Sequence, residues 1–325
     1  MRTALCDLLG LDYPIIQAGM GTFTDAALVA AAAEAGILGS LGAANRSAAD
    51  LREQVARIRD RTSRPFAVNF LVSAFDSEAF ATALAAHVPV ISLALGDPGD
   101  LVARAHDAGA LVIHQVHSVV QAEQAAARGV DVLIAQGGEA GGFGQFIGAL
   151  PLIPQVVDAV RPLPVVAAGG IADGRGLAAV LLLGAVGANI GTRFLASVEA
   201  PIAEGWKQAI LAARSEDAVK VEFWNDLAPV PGRAGYGTVP RSIRTTFIDR
   251  WSQRRGEVAN QAETLGGELM TAMRGGRLHE YVPFAGQSAG LIHDILPVAE
   301  IVRRLVEEAR AALVAAAHLA GLAPR

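Results

Sequence analysis

Eight times in roughly the first 200 residues, a short run rich in Val, Ile and Leu gives way to an alanine-rich segment of helical character. The runs are PIIQAGM from Pro14, GILGSLGAA from Gly36, PFAVNFL from Pro65 and PVISLALGDP from Pro89, then LVIHQV from Leu111, DVLIAQGG from Asp131, PVVAAGGIADG from Pro164 and GANIGTRF from Gly187. Strand and helix in alternation predict parallel pairing, because parallel neighbours need a crossover of a dozen or more residues between them. Eight such units in about 200 residues predict an α/β fold of the closed (β/α)8 TIM-barrel kind. The competing open, doubly wound sheet would need a G-x-G-x-x-G turn after its first strand to hold a dinucleotide, and the chain has none.

After the eighth unit the texture changes. The stretch from Ser215 to Gln261 is polar, Arg-rich and weakly periodic, whereas from Gln287 a long helical pattern resumes that is kinked or restarted at Pro297. The expected organisation is a barrel from 1–212 and 286–325 with a closing C-terminal helix, and a small inserted substrate or lid domain over 213–285.

With 325 residues, 52% of them hydrophobic, the chain can bury a large core. A formal charge of −5 lacks the basic excess that a phosphate backbone demands, so no nucleic-acid partner is expected. Cys6 is the sole cysteine, Asp7 and Asp12 interrupt the N-terminus where a secretory apolar segment would lie, and Glu34 with several glycines interrupts the most apolar stretch. The expectation is a cytoplasmic protein with a small-molecule substrate and no membrane association, its oligomeric state open and a homodimer one option.

In such a barrel the chemistry lies at the carboxyl ends of the strands. Those ends carry Gln17-Ala18-Gly19-Met20, Asn69, Gln115 with His117, Gln136, Gly169-Gly170 and Gly191-Thr192-Arg193. Amides dominate. A Schiff-base aldolase is disfavoured because the two lysines, Lys207 and Lys220, follow the eighth strand, and a metal hydrolase because the seven histidines show neither H-x-H nor H-E-x-x-H spacing. Glycines after strands seven and eight let backbone N–H groups approach a phosphate, with a helix start adding its dipole. Taken alone, each glycine pair could simply make a tight turn.

In order along nearly the whole chain, PIIQAGM, PFAVNF, GGEAGG, AAGGIADGRG, GANIGTRFLAS and AGQSAGLI resemble the nitronate monooxygenase family, formerly called 2-nitropropane dioxygenases. The resemblance implies an FMN-dependent barrel oxidising a nitronate or similar small anion with O2. It implies that Gly19 and Met20 line the flavin ring, Asn69 and Gln115 bond its polar edge, and Gly169, Gly170, Gly191 and Thr192 hold the phosphate. Gln136 and Gly138 on the glycine loop and Gln287 in AGQSAGLI are placed beside the cofactor on the same ground. Residue by residue, Met20 can equally be a core methionine, Asn69 a turn cap, Gln115 a satisfied buried amide, and Glu139 a helix-capping or solvated carboxylate.

One position departs from the family. Its loop reads like E-A-G-G-H, and here Phe143 stands where the histidine would act as base. A phenyl ring walls a pocket and moves no proton. Candidates for a substitute acid or base are His117, Tyr236, Tyr281 and, with less weight, His114. Because a nitronate is already an anion, its oxidation survives the loss. The alternative is an NAD(P)H-dependent flavin reductase acting on a quinone or enoyl thioester, with NAD(P)H a transient reductant. Two remote alternatives are a serine hydrolase, since GQSAG from Gly286 matches G-x-S-x-G with His293 and His318 downstream, and a silent phosphate-ligand barrel.

Overall fold

The computed structural model describes residues 1–228 and 237–322. All eight runs form strands of one closed parallel barrel, in the order β1 (Ile15–Gln17), β2 (Leu38–Gly42), β3 (Phe66–Leu71), β4 (Val90–Ala94), β5 (Leu111–Val116), β6 (Val132–Gln136), β8 (Val165–Ala168) and β9 (Gly187–Ile190). Closure comes from β1 pairing with β9, Ile16 opposite Asn189. The fold is the expected TIM barrel.

The period of two within each strand decides which residues meet. Ile16, Leu38, Ala67, Val90, Ile113 and Ile134 point into the barrel and pack on one another, and the first helix, Ala4–Leu9, adds Leu5, Cys6 and Leu9 to that cluster. Their neighbours Leu41, Val68, Ile91, Val112, Leu133 and Val165 point outward and join the helical layer in a second core. The last helix, Val298–Leu319, starts directly after Pro297 and lies on the helix Gly174–Leu182. Gly174 makes that approach possible, since a Cβ there would lie 2.3 Å from the backbone N of Ala309.

A third cluster, with Trp206, Phe223, Phe247, Trp251, Leu265 and Val282, forms the core of the segment between barrel and closing helix, and it also takes in Ala172 and Leu195 from the barrel loops. Its small sheet has the order β10 (Ala218–Lys220), β11 (Val239–Ile243), β7 (Gly142–Gly144). The outer strand β7 is the glycine-rich loop itself, with Phe143 opposite Pro240. The loop thus has a backbone partner, which a run of glycines does not announce. No helix among the described residues is long and apolar enough to cross a membrane.

Candidate active site

A cavity of about 590 Å³ opens at the carboxyl ends of the barrel strands, between them and the segment that precedes the closing helix. From the first three strands Gly19, Met20 and Asn69 line it, and from β5 and β6 come Gln115 and Gln136. Phe143, Gly169, Gly170, Gly191 and Thr192 complete the set of predicted residues that the structure brings together there.

The amides are held in different ways. Asn69 donates from Nδ2 to Ser92 Oγ at 3.1 Å, a cross-strand bond rather than a turn cap, and Gly19 fits against it because a Cβ there would lie 2.5 Å from Asn69 Cβ. Gln136 donates from Nε2 to the carbonyl of Phe143 at 2.8 Å and so ties β6 to the glycine strand. Gln17 is fully buried below the mouth, its Oε1 accepting the Ser40 N–H at 3.2 Å. Ser40 and Ser92 also line the cavity, and Ser40 Oγ is buried without a hydrogen-bond partner among the described residues. Sequence reading missed both serines; each sits on the inward-pointing phase of its strand, the one signal that could have found them.

The seventh and eighth loops meet on one side of the cavity. Gly169 and Gly170 have φ of 97° and 75°, a left-handed backbone that turns their amides away from the strand ladder. Among the described residues the N–H groups of Gly169, Gly170, Ile171, Gly191 and Thr192 donate to nothing. The start of Gly174–Leu182 already holds two carboxylates, Asp173 accepting the Gly176 N–H and Glu308 the Gly174 N–H at 2.9 Å. A phosphate here would be held by loop amides and by the uncapped start of the short helix Thr192–Leu195.

Three predicted site residues lie elsewhere. Gly138 is enclosed in the protein fabric: its N–H donates to Ile147, and its carbonyl accepts from Arg241 Nη2 at 2.8 Å. The N–H of Gln287 donates to the Glu139 carbonyl, and its neighbour Gly286 donates to Thr192 Oγ1, so AGQSAG staples the glycine loop to the eighth loop. His117 is 2% exposed and absent from the cavity lining; with His114, which faces the helical layer, it borders a separate small pocket beside Asp97. Burial presses both imidazoles down to about 4, and His114 Nδ1 and His117 Nε2 lack partners among the described residues. Neither is placed to exchange a proton in the cavity.

Tyr281 packs against Phe247 with centroids 5.1 Å apart, outside the lining, and Tyr236 lies outside the described residues. Glu139 caps a helix, both its oxygens accepting the Ala149 N–H at 3.0 Å. Ser288 does line the cavity, on a 3-10 turn, but no histidine lines it with Ser288 among the described residues, so the hydrolase reading lacks its base. Two cations that the sequence does not place at the site clamp the glycine loop: Arg241 on the Gly138 carbonyl, and Lys220 with Nζ 3.0 Å from the carbonyls of Gly144 and Val239. Burial, with Arg241 close by, brings Lys220 down to about 8.

Another part of the wall is aromatic. Phe143, Trp224 and Phe284 form a triangle with centroids 6.2, 6.2 and 5.6 Å apart. Taken as a whole, the described lining contains no Asp, Glu, His, Lys, Arg, Cys or Tyr.

A (β/α)8 barrel with its cavity at the strand carboxyl ends and unpaired amides of the seventh and eighth loops on one side defines the class of barrel proteins that bind their ligand at that face. The chain belongs to the nitronate monooxygenase family, a family of oxidoreductases, whose model matches residues 2–83 and 76–308. It is 31% identical to the (3aS,4S,5R,7aS)-5-hydroxy-7a-methyl-1-oxo-octahydro-1H-indene-4-carboxyl-CoA dehydrogenase of Mycobacterium tuberculosis, covering 95% of this chain and 96% of that one. Among solved structures, FabK from Thermotoga maritima superposes with a TM-score of 0.88 at 35% identity, covering 96% of this chain and 97% of that one. A nitroalkane oxidase from Streptomyces ansochromogenes superposes with a TM-score of 0.83 at 28% identity, covering 97% and 100%.

Proposed function

We propose that this chain is an FMN-dependent oxidoreductase acting on the carbon chain of an acyl thioester, with NAD(P)H as transient reductant. The single observation that carries the reading is the cavity of about 590 Å³, walled by Phe143, Trp224 and Phe284 and without ionisable side chains among the described residues. Hydride addition to the β-carbon of an α,β-unsaturated thioester leaves an enolate that the thioester carbonyl stabilises, and water can supply the proton to the α-carbon. Such a reaction needs no protein acid. Deprotonating a neutral nitroalkane needs a base, and Phe143 occupies the place where the family's loop would carry it.

The residues present fit the cofactor. Five unpartnered N–H groups of the seventh and eighth loops suit a phosphate, and Gly170 leaves it room, since a Cβ there would meet nothing nearer than Glu139 Cβ at 3.8 Å. Gly19 and Met20 offer a flat apolar edge for a ring, while Ser40, Asn69 and Gln115 offer polar atoms to its rim. Bound there, FMN would supply two-electron hydride chemistry. The chain's own part is to hold the ring and to orient the thioester along the aromatic wall. The carboxyl-CoA dehydrogenase relative supports this substrate class.

A second reading, oxidation of a pre-formed nitronate with O2, is favoured by the family model and equally needs no base. The apolar wall facing the cavity favours the thioester over so small an anion. The deciding experiment is the visible spectrum of the purified protein, followed by anaerobic reduction with NADH or NADPH and reoxidation by crotonyl-CoA or by ethylnitronate. Bleaching reversed by crotonyl-CoA supports the first reading. A colourless protein that takes up no FMN overturns both.

A further inference from the structure

The segment that precedes the closing helix contributes a second wall beside the aromatic one. On the helix Ala262–Arg274, Gly266, Leu269, Met270 and Met273 recur at helical spacing, and all four line the cavity. Gly266 is the informative member. Glycine inside a helix costs about 1 kcal/mol relative to alanine, so its presence calls for a reason. No left-handed backbone requires it, and a Cβ built on it meets nothing within 4 Å. What the missing side chain preserves is open volume at the cavity mouth. Beside it, Met270 is 45% exposed and adaptable in shape, and Leu227 and Leu278 fill the apolar lining between the helix and Trp224.

The same cavity is lined by the triangle of Phe143, Trp224 and Phe284. Its geometry is held by the backbone: β7 is paired to β11, Gln136 grips the Phe143 carbonyl, and Lys220 grips that of Gly144. An aromatic cluster and an adaptable methionine-bearing helix lining one cavity, with room kept open by a glycine, make a site for a thick apolar group rather than a thin chain.

We infer that Trp224, Phe284 and Gly266 determine specificity, selecting a bulky, ring-bearing apolar acyl group. The inference rests on the thioester reading for the chemistry of the substrate's other end, but not for the pocket itself.

The test uses two probes that share the CoA thioester and the double bond: cinnamoyl-CoA, which carries a phenyl ring, and crotonyl-CoA, which carries a methyl group. Binding to the flavin-loaded enzyme is followed by calorimetry and turnover by NAD(P)H oxidation. Wild type is expected to bind cinnamoyl-CoA about tenfold more tightly, the scale on which apolar pockets discriminate. Trp224→Ala and Phe284→Ala should each reduce the cinnamoyl-to-crotonyl affinity ratio about fivefold, and Gly266→Leu should reduce it at least as much by filling the volume. Gly266→Leu substitutes a strong helix former at an open position, so it folds even if truncating Trp224 loosens the wall. Turnover of both thioesters without preference overturns the inference and leaves the thioester reading standing. Preferential binding that Gly266→Leu abolishes, with no turnover of either, keeps the inference and removes that reading. Equal binding of the two, or binding of neither, overturns the inference.

Discussion

Replacing Gly191 with Asp should expel the flavin phosphate while leaving the barrel intact. Gly191 begins the eighth loop with φ −105°, which any L-residue adopts, and a Cβ there would sit 3.4 Å from Met20 Sδ and 3.7 Å from Ala18 Cβ, ordinary contact distances. The added carboxylate would then stand among the N–H groups assigned to the phosphate. Two unit charges about 4 Å apart interact by about 4 kcal/mol at an effective dielectric near 20. The phosphate carries nearly two charges, but the open mouth admits water and screens them, so about 4 kcal/mol is the net expectation. That is close to three orders of magnitude in Kd. The assay is the flavin retained after desalting, then the Kd for FMN added back, read by quenching of flavin fluorescence. Gly191→Ala should retain flavin, and Gly256→Asp controls for charge because a side chain at Gly256 meets nothing within 4 Å. Gly170 is less suitable, since its φ of 75° strains any side chain, and so is Gly39, where a Cβ would lie 2.3 Å from the Val29 carbonyl. Full flavin occupancy of Gly191→Asp at wild-type Kd would refute the phosphate site.

Phe143→His should raise oxidation of neutral nitroethane, measured as oxygen uptake, by about tenfold. That is less than a well-tuned base supplies, because an imidazole set among Trp224 and Phe284 is desolvated and weakly basic; wild type oxidising nitroethane as fast as ethylnitronate would contradict this. With no ionisable described side chain in the cavity, kcat/KM for a thioester should vary less than about twofold from pH 6 to 8.5 and be unmoved by His117→Ala. A bell-shaped profile would point to residues 229–236, with Tyr236→Phe the variant to make. Because burial presses His114 and His117 to about 4 from 6.5, the unfolded chain binds more protons between those values. Their contribution is therefore complete above pH 6.5 and lost as pH falls towards 4, about 3 kcal/mol each at most, checked by urea midpoints at pH 7 and 4.5. Arg193→Ala should cost about 1–3 kcal/mol in the same assay, since it removes a buried guanidinium that bonds the carbonyls of Ala196 and Asp294, whereas the half-exposed Asp294 carboxylate keeps Arg304.

The amino-acid sequence alone determined the barrel. Strand-helix alternation is a local property, written in periods of 2 and 3.6, and eight such units in this length without a dinucleotide turn favour a closed parallel sheet over an open one. It also determined that the seventh and eighth loops are glycine-rich and that position 143 holds a phenylalanine, which moves no proton, because residue identity can be read directly. Which of those side chains share one space was decided by tertiary structure. His117 and Gln115 are two residues apart, yet only Gln115 lines the cavity, because the strand ends between them and the chain turns His117 towards Gln121. The glycine loop looked like bare backbone awaiting a cofactor. In the fold it is an edge strand, gripped by Gln136, Lys220 and Arg241, and its two cations come from residues some 75 and 100 positions later, a pairing that no local pattern encodes. The wall that Trp224, Phe284 and Gly266 build around Phe143 is likewise a product of long-range packing, which assembles a pocket from segments whose own sequences are weakly periodic.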